Sequence, residues 1–392
     1  MIKNHSTMLA AVAALIGTLV GLVAGMVLST NAAAGEADVM TPIVVEPAKS
    51  ATLPELMTKL RSERLIYVGE THTAFADHLL QLEVLRRMAA QPEGLAVGVE
   101  WFQSRFQPVL DDFLAGNIGE AELLRRTEYY DRWRFDYRLY RPIIQFAKEQ
   151  GIPIIALNAS RELTSEIQRV GISALAEDMK QQLPDGYDFE DKDYEGQLRE
   201  MFELHQRDDA QFQRFLEVQL TWDESMAQRV SDYLKANPQG RILVLAGKGH
   251  VSGRSGIPNR VTRRTGIQGT TIATFNPASR IFNSADFLVL ANDQVLPPPG
   301  LMRVLLDERD GGVFVKGFSE DSPAETAGME EGDQILAING DPIAHYTDIK
   351  IAMLDRPPGS EISVTVKRDR LIGGKINETV TFALAGPSSP HS

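Results

Sequence analysis

Four short segments set polar, reactive side chains directly behind apolar runs: Gly69-Glu70-Thr71-His72, Glu100-Trp101, Asn158-Ala159-Ser160-Arg161 and Gly247-Lys248-Gly249-His250. Two histidines and two glutamates brought together could hold a divalent ion through imidazole nitrogens and carboxylate oxygens, leaving one position for water. Such a centre, built from Glu70, His72, Glu100 and His250, would hydrolyse an ester or amide by activating that water. Without a metal, Glu70 or Glu100 could act as a base beside a histidine. Were the ligand a haem, His72, His78 or His250 could donate an axial nitrogen, or a tyrosine an oxygen, with apolar walls around the ring. The chain has no cysteine, which excludes disulfides, thiolate metal sites, a cysteine nucleophile and covalent haem attachment through CxxCH.

The elements that must carry these residues alternate along the chain. Leu65–Glu70, Leu95–Glu100, Ile152–Leu157, Ile242–Ala246 and Thr270–Phe275 are short apolar runs that read as strands, and Asp286–Ala291 reads as an edge strand. Between them, Ala74–Met88, Phe106–Leu114 and Glu120–Arg126 have helical spacing, as does the stretch through Phe146, which Gly151 stops. A long helix is expected over residues 206–235. Strands separated by helices imply an α/β domain with a mostly parallel sheet flanked by helices. In such a sheet ligands bind beyond the carboxyl ends of the strands, where all four segments lie. The Gly-Lys-Gly stretch reads as a small turn that lets backbone approach a ligand and sets His250 at the mouth of the site.

The segments GETHTAFADH, GVEWFQSRFQPVLDDFLAG, GIPIIALNASRE, VQLTWDESMAQRV and VLAGKGHVSGRSGIPNR, in that order, resemble the ChaN-like haem-binding uptake family of the Tiki superfamily over about residues 51–290. The resemblance implies one cleft lined by Glu70, His72, Glu100 and His250, with His78, Asn158 and Arg161 nearby. It implies haem binding, with His72, His78, Asn158, Arg161 and His250 as cofactor-binding residues, and a part in iron acquisition. Relatives in the superfamily, the Tiki proteases and erythromycin esterases, imply the alternative: a metal-dependent hydrolase on the same His/Glu set. ChaN-type proteins are often lipoproteins, and this chain departs from them in having no cysteine to acylate.

Other residues have a packing reading beside a functional one. Trp133, Tyr137 and Tyr140 could wall a planar ligand or pack between helices. Trp222, Asp223 and Met226 fall on the inward stripe expected for the long helix, which points to the core. Residues 183–196, LPDGYDFEDKDYEG, read as a solvated acidic loop, with a mobile lid as the lesser reading, and His205 as a surface or capping residue.

The net charge of −13, with no basic stripe to offset it, argues against a nucleic-acid partner. Met8–Leu28 is uncharged and long enough to span a membrane. Gly17, Gly21 and Gly25 make two overlapping GxxxG patterns, a face on which two chains could pair as a homodimer. We expect an N-terminal transmembrane helix within residues 1–34, either retained as a single-pass anchor or cleaved after the small residues near Ala34. A linker over 35–50 follows, and the bulk of the chain is extracytoplasmic: periplasmic and membrane-tethered, or soluble and secreted or periplasmic after cleavage.

Val295-Leu296-Pro297-Pro298-Pro299-Gly300 separates an α/β region over 51–292 from a second region over 297–386, with a disordered tail at 387–392. In that second region Ser322-Pro323-Ala324, Ala327-Gly328, Gly332-Asp333 and Ile338-Asn339-Gly340 resemble a PDZ domain of the HtrA-like type, a small β-rich fold. Asn339-Gly340 signals a tight hairpin. The resemblance implies a peptide or protein ligand added along a strand that opens at Leu301, Met302, Arg303 and Val304, with a flanking helix over Asp348–Leu354. The loop Pro299-Gly300-Leu301-Met302 departs from the usual Gly-Leu-Gly-Phe pattern, which weakens capture of a terminal carboxylate.

Overall fold

The computed structural model describes residues 50–203, 209–275, 285–309, 311–370 and 374–387. The expected membrane helix and almost all of the linker, His205 and nearly all of the C-terminal tail lie outside the described residues. Among the described residues no helix is long and apolar enough to cross a membrane.

Six strands build the first sheet: β1 (Leu65–Glu70), β2 (Leu95–Gln103), β3 (Ile154–Asn158), β4 (Arg241–Gly247), β5 (Thr270–Thr274) and β6 (Phe287–Val289), in the order β3-β2-β4-β1-β5-β6. Every pairing in it is parallel. β1 is buried along its whole length because helices cover both faces, which is why its sequence is a continuous apolar run. On one face Leu65, Tyr67, Ala96, Ile242, Val244 and Ala246 pack against Met226, Ala227 and Val230 of the 28-residue helix Asp209–Ala236. The helix Phe75–Met88 turns Leu80, Val84 and Leu85 inward, and its Gln81 donates to the Val68 carbonyl at 3.0 Å.

Two expectations for this domain change. Gly247 ends β4, and Lys248–Val251 follows at once as a single helical turn, so His250 sits on a helical turn rather than on a flexible one. Residues 192–203, partly inside the stretch read as an acidic loop, form a helix. Its acidic surface hides an inner stripe, Tyr194, Leu198 and Phe202, that packs on Phe212 and Leu216.

The C-terminal sheet is antiparallel, with β7 (Val304–Arg309), β8 (Gly312–Phe318), β9 (Gln334–Ile338), β11 (Glu361–Arg370) and β12 (Gly374–Ala383) in the order β12-β11-β9-β8-β7. β10 (Asp341–Pro342) pairs with β9. Asn339 at φ 51° and Gly340 at φ 88° join β9 to β10, the two left-handed residues that a tight hairpin demands. The core gathers Val313, Val315, Ile335, Ile338, Val364 and Val366. β7 lies at the free edge, with the helix Tyr346–Ala352 beside it. The described residues from Leu56 onward form one compact unit in which Arg125 Nε meets Asp348 Oδ1 at 2.7 Å, Arg141 pairs with Asp355, and Arg138 donates to the Pro297 carbonyl at 2.9 Å.

Candidate functional site

Register alone brings the first three residues together. Glu70, the last residue of β1, lies opposite Gly247, the last residue of β4. On the other side of β4, Val99 of β2 pairs with Leu245, so Glu100 comes level with the same strand end. Gly247 is the gap between the two carboxylates. A Cβ there would lie 2.8 Å from His72 Cε1 and 3.5 Å from Glu100 Oε2, so any side chain at this position would push the histidine out.

Glu70 Oε1 meets His72 Nδ1 at 2.5 Å. Its other oxygen, Oε2, is buried without a hydrogen-bond partner, 3.8 Å from His78 Nε2. Glu100 Oε2 accepts the Gly247 N–H at 2.6 Å, and Oε1 lies 3.4 Å from His250 Nε2. Ligating atoms of Glu70, His72 and Glu100 lie within 4.8 Å of one another. Behind His250, Nδ1 meets Asp223 Oδ1 at 2.7 Å, and the Tyr194 hydroxyl donates to Asp223 Oδ2 at 2.6 Å. Glu70, His72, Glu100 and His250 therefore meet at the carboxyl edge of three adjacent strands.

Burial alone would raise the Glu100 pKa, but the charge and hydrogen bond of His250, the charge of His72 and the Gly247 N–H outweigh it and hold the group at about 2. Burial would lower both histidines. Asp223 and Glu100 reverse this for His250 and lift it well above the usual imidazole value; Glu70, with help from Glu100, lifts His72. The resting site is thus a set of carboxylates facing two imidazoles biased toward the cation.

The three candidate ligand histidines differ in what remains free. His78 is fully buried, with Nε2 3.2 Å from the His72 carbonyl and Nδ1 3.3 Å from Gln81 Oε1. His250 has a carboxylate at each nitrogen. Among the described residues His72 Nε2 has no hydrogen-bond partner, and its ring touches Trp133 and Phe135 at centroid distances of 4.9 and 4.7 Å. Both aromatics are half-buried and form a lip beside the histidine. Tyr137 and Tyr140 are fully buried helix packing, and burial keeps both in the neutral phenol form.

Asn158 ends β3, one strand beyond Glu100, with Oδ1 buried and unpaired. Arg161 opens the next helix and donates to the Asp131 carbonyl at 3.0 Å, tying it to the segment that carries Trp133. Two contributors escaped the sequence reading. Asp223 was placed in the core, and it is buried there, but as the partner that fixes His250. An acid on an apolar helix stripe was the available signal, because a buried carboxylate requires a partner. Lys248 joins three strand ends: its Nζ lies 2.9 Å from Asp77 Oδ2 and 2.5 Å from Thr274 Oγ1, while Asp77 also accepts the Thr71 N–H at 2.8 Å.

In the C-terminal sheet the backbone of Leu301 is paired in both directions with Ala385, and Gly300 N–H donates to the Arg356 carbonyl at 2.8 Å. Met302 is buried, and Arg303, at φ 56°, donates to the carbonyls of Glu320 and Gly386. The free edge begins at Val304.

Residues 56–261, more than half of the chain, match the family described as haem-binding uptake, Tiki superfamily, ChaN, and residues 300–381 match the PDZ domain family. A solved structure of cofacial heme binding to ChaN of Campylobacter jejuni superposes with a TM-score of 0.52 at 17% identity, covering 62% of this chain and 93% of that one. Among curated proteins, tight junction protein 1 of Mus musculus is 37% identical over 75 residues, which is 18% of this chain and 4% of that protein. The magnetosome formation protease MamE of Paramagnetospirillum magneticum is 32% identical over 75 residues, 19% of this chain and 10% of that protein. This chain spans a tenth or less of the length of these two relatives.

Proposed function

This chain belongs to the haem-binding uptake family of the Tiki superfamily typified by ChaN, and from that membership we propose that it is a membrane-tethered, extracytoplasmic haem-binding protein linked to iron uptake, whose PDZ module takes a peptide or protein partner. The observation that carries the haem reading is the free Nε2 of His72 beside the lip of Trp133 and Phe135. The donor chemistry fits the group. A carboxylate at Nδ1 orients the ring and raises the basicity of the opposite nitrogen, the arrangement that metal-ligating histidines use.

Bound haem would supply an iron that Nε2 of His72 could hold and a flat apolar ring that Trp133 and Phe135 could contact. The residues of the chain do the rest. Glu70 holds His72 in one orientation and takes up its proton bond. Trp133 and Phe135 offer apolar contact to a ring laid at the sheet edge. Asp223 and Glu100 hold His250 as a cation beside the site, where it can donate a proton or face an anionic group. The anchor rests on the uncharged run Met8–Leu28.

A second reading is favoured by the unpaired Glu70 Oε2 and by the grouping of donor atoms from Glu70, His72 and Glu100 within 4.8 Å. The same set fits a divalent ion, and with His250 as proton donor it would serve a hydrolase. Titration of the purified full chain with haemin, beside elemental analysis of the untreated protein, separates the two. Saturable growth of the Soret band supports haem binding. A flat titration together with stoichiometric zinc or manganese supports the hydrolase.

A further inference from the structure

The free edge β7 and the helix Tyr346–Ala352 run antiparallel. Gly300, just before β7, contacts the Arg356 carbonyl beyond the end of the helix, whereas Glu308, near the end of β7, contacts the residues that begin it. A peptide added antiparallel to β7, with its carboxyl end near Arg303, therefore runs toward Glu308. Glu308 lies four positions beyond Val304, about 13 Å of strand.

At that far end the groove is not made by the PDZ module alone. A cavity of about 290 Å³ is lined there by Glu308, His345 and Asp348 of the C-terminal region together with Arg125, Glu128 and Asp131 of the α/β domain. Glu308 reaches across the groove to His345 Nδ1 at 2.8 Å and to the Tyr346 N–H at 2.9 Å. Asp348 is occupied by Arg125. Four carboxylates thus line it with one guanidinium and one imidazole; Glu128 is paired with Arg132 at 2.8 Å, whereas the carboxylate of Asp131 has no hydrogen-bond or ion-pair partner among the described residues.

Resting on the reading of β7 as a peptide-binding edge, we propose that this composite end selects a cationic peptide: Arg or Lys, four to six residues from the carboxyl end, enters between Glu308 and Asp131 and takes the place of His345 on Glu308. The α/β domain then supplies half of the specificity pocket, and the module read as a separate binding unit selects its ligand only in the intact chain.

The test is fluorescence anisotropy of the full chain with two labelled ten-residue peptides ending in valine, one carrying Arg and the other Glu at the fourth to sixth positions from the carboxyl end. The Arg peptide binds at least about tenfold more tightly at low salt, and the gap narrows as salt is raised. In the Asp131→Asn/Glu308→Gln variant the two peptides bind alike. Equal affinity for both peptides in the unaltered chain overturns the selectivity, as does a gap that survives the double substitution. If neither peptide binds, the peptide-binding reading of β7 falls as well, an outcome distinct from binding without preference.

Discussion

Arg368 of the C-terminal sheet is buried, and each end of its guanidinium is occupied. It donates to both oxygens of Asp333 at 2.7 Å, to Glu330 at 2.7 Å, to Glu378 at 3.1 Å and to the Gly328 carbonyl at 2.8 Å. The edge of the parallel sheet buries charge differently. Glu70, Glu100 and Asp223 share two imidazoles, and among the described residues one oxygen of Glu70 and one nitrogen of His72 have no hydrogen-bond partner. Single unpaired atoms occur elsewhere, at Nε of Arg241 at the opposite end of β4 and at Nε of Arg303 ahead of β7; what sets the sheet edge apart is that donor atoms of Glu70, His72 and Glu100 gather within 4.8 Å of one another. The contrast supports the proposed binding site at the sheet edge and a structural role for Arg368.

The sharpest way to break that contrast is to remove charge on each side. Arg368→Ala strands Asp333 in the core and lowers stability by about 3–5 kcal/mol, read from denaturant unfolding. Glu70→Gln removes a buried charge that is only half paired, so its unfolding free energy stays within about 1 kcal/mol of the parent. The same substitution weakens haemin binding about tenfold, since a neutral amide supports His72 less well. If Glu70→Gln destabilises as much as Arg368→Ala, the sheet edge is scaffold too and the distinction fails.

Smaller effects sharpen it. Arg125 is more than a third exposed, so Arg125→Ala costs no more than about 1 kcal/mol, yet it frees Asp348 at the groove and should change peptide affinity more than stability. The pH dependence has a defined sign. Glu100 titrates at about 2 in the folded chain against 4.5 for the unperturbed group, so its contribution is complete above pH 4.5 and is lost as pH falls toward about 2. Thermal unfolding of Glu100→Gln should fall less steeply than that of the parent through this window. Parallel curves would mean that Glu100 is not held as a carboxylate by His250.

Much of the site was legible because it is local. Glu70 and His72 follow an apolar run that can only be a buried strand, and the parallel arrangement sends every such run to one edge. Asn339-Gly340 was legible for the same reason, since the two residues define their own turn. Gly247 reads in sequence as the start of a small turn that lets backbone approach a ligand, but its missing side chain makes room for His72 and Glu100, a tertiary demand the sequence does not display. Asp223 looked like core because its partner, His250, is 27 residues away on another element. The pairing of exposed Arg125 with buried Asp348 spans 223 residues, and no periodicity reports a contact between charges that far apart.

In the proposed function, His72 is the residue through which the sheet edge holds haem. It is tested by titrating His72→Ala with haemin, with and without added imidazole, beside the unaltered chain. Affinity should fall at least about tenfold, and added imidazole should restore the Soret band by standing in for the His72 nitrogen. A His72→Ala chain that binds haemin with unchanged affinity and an unchanged spectrum would contradict it.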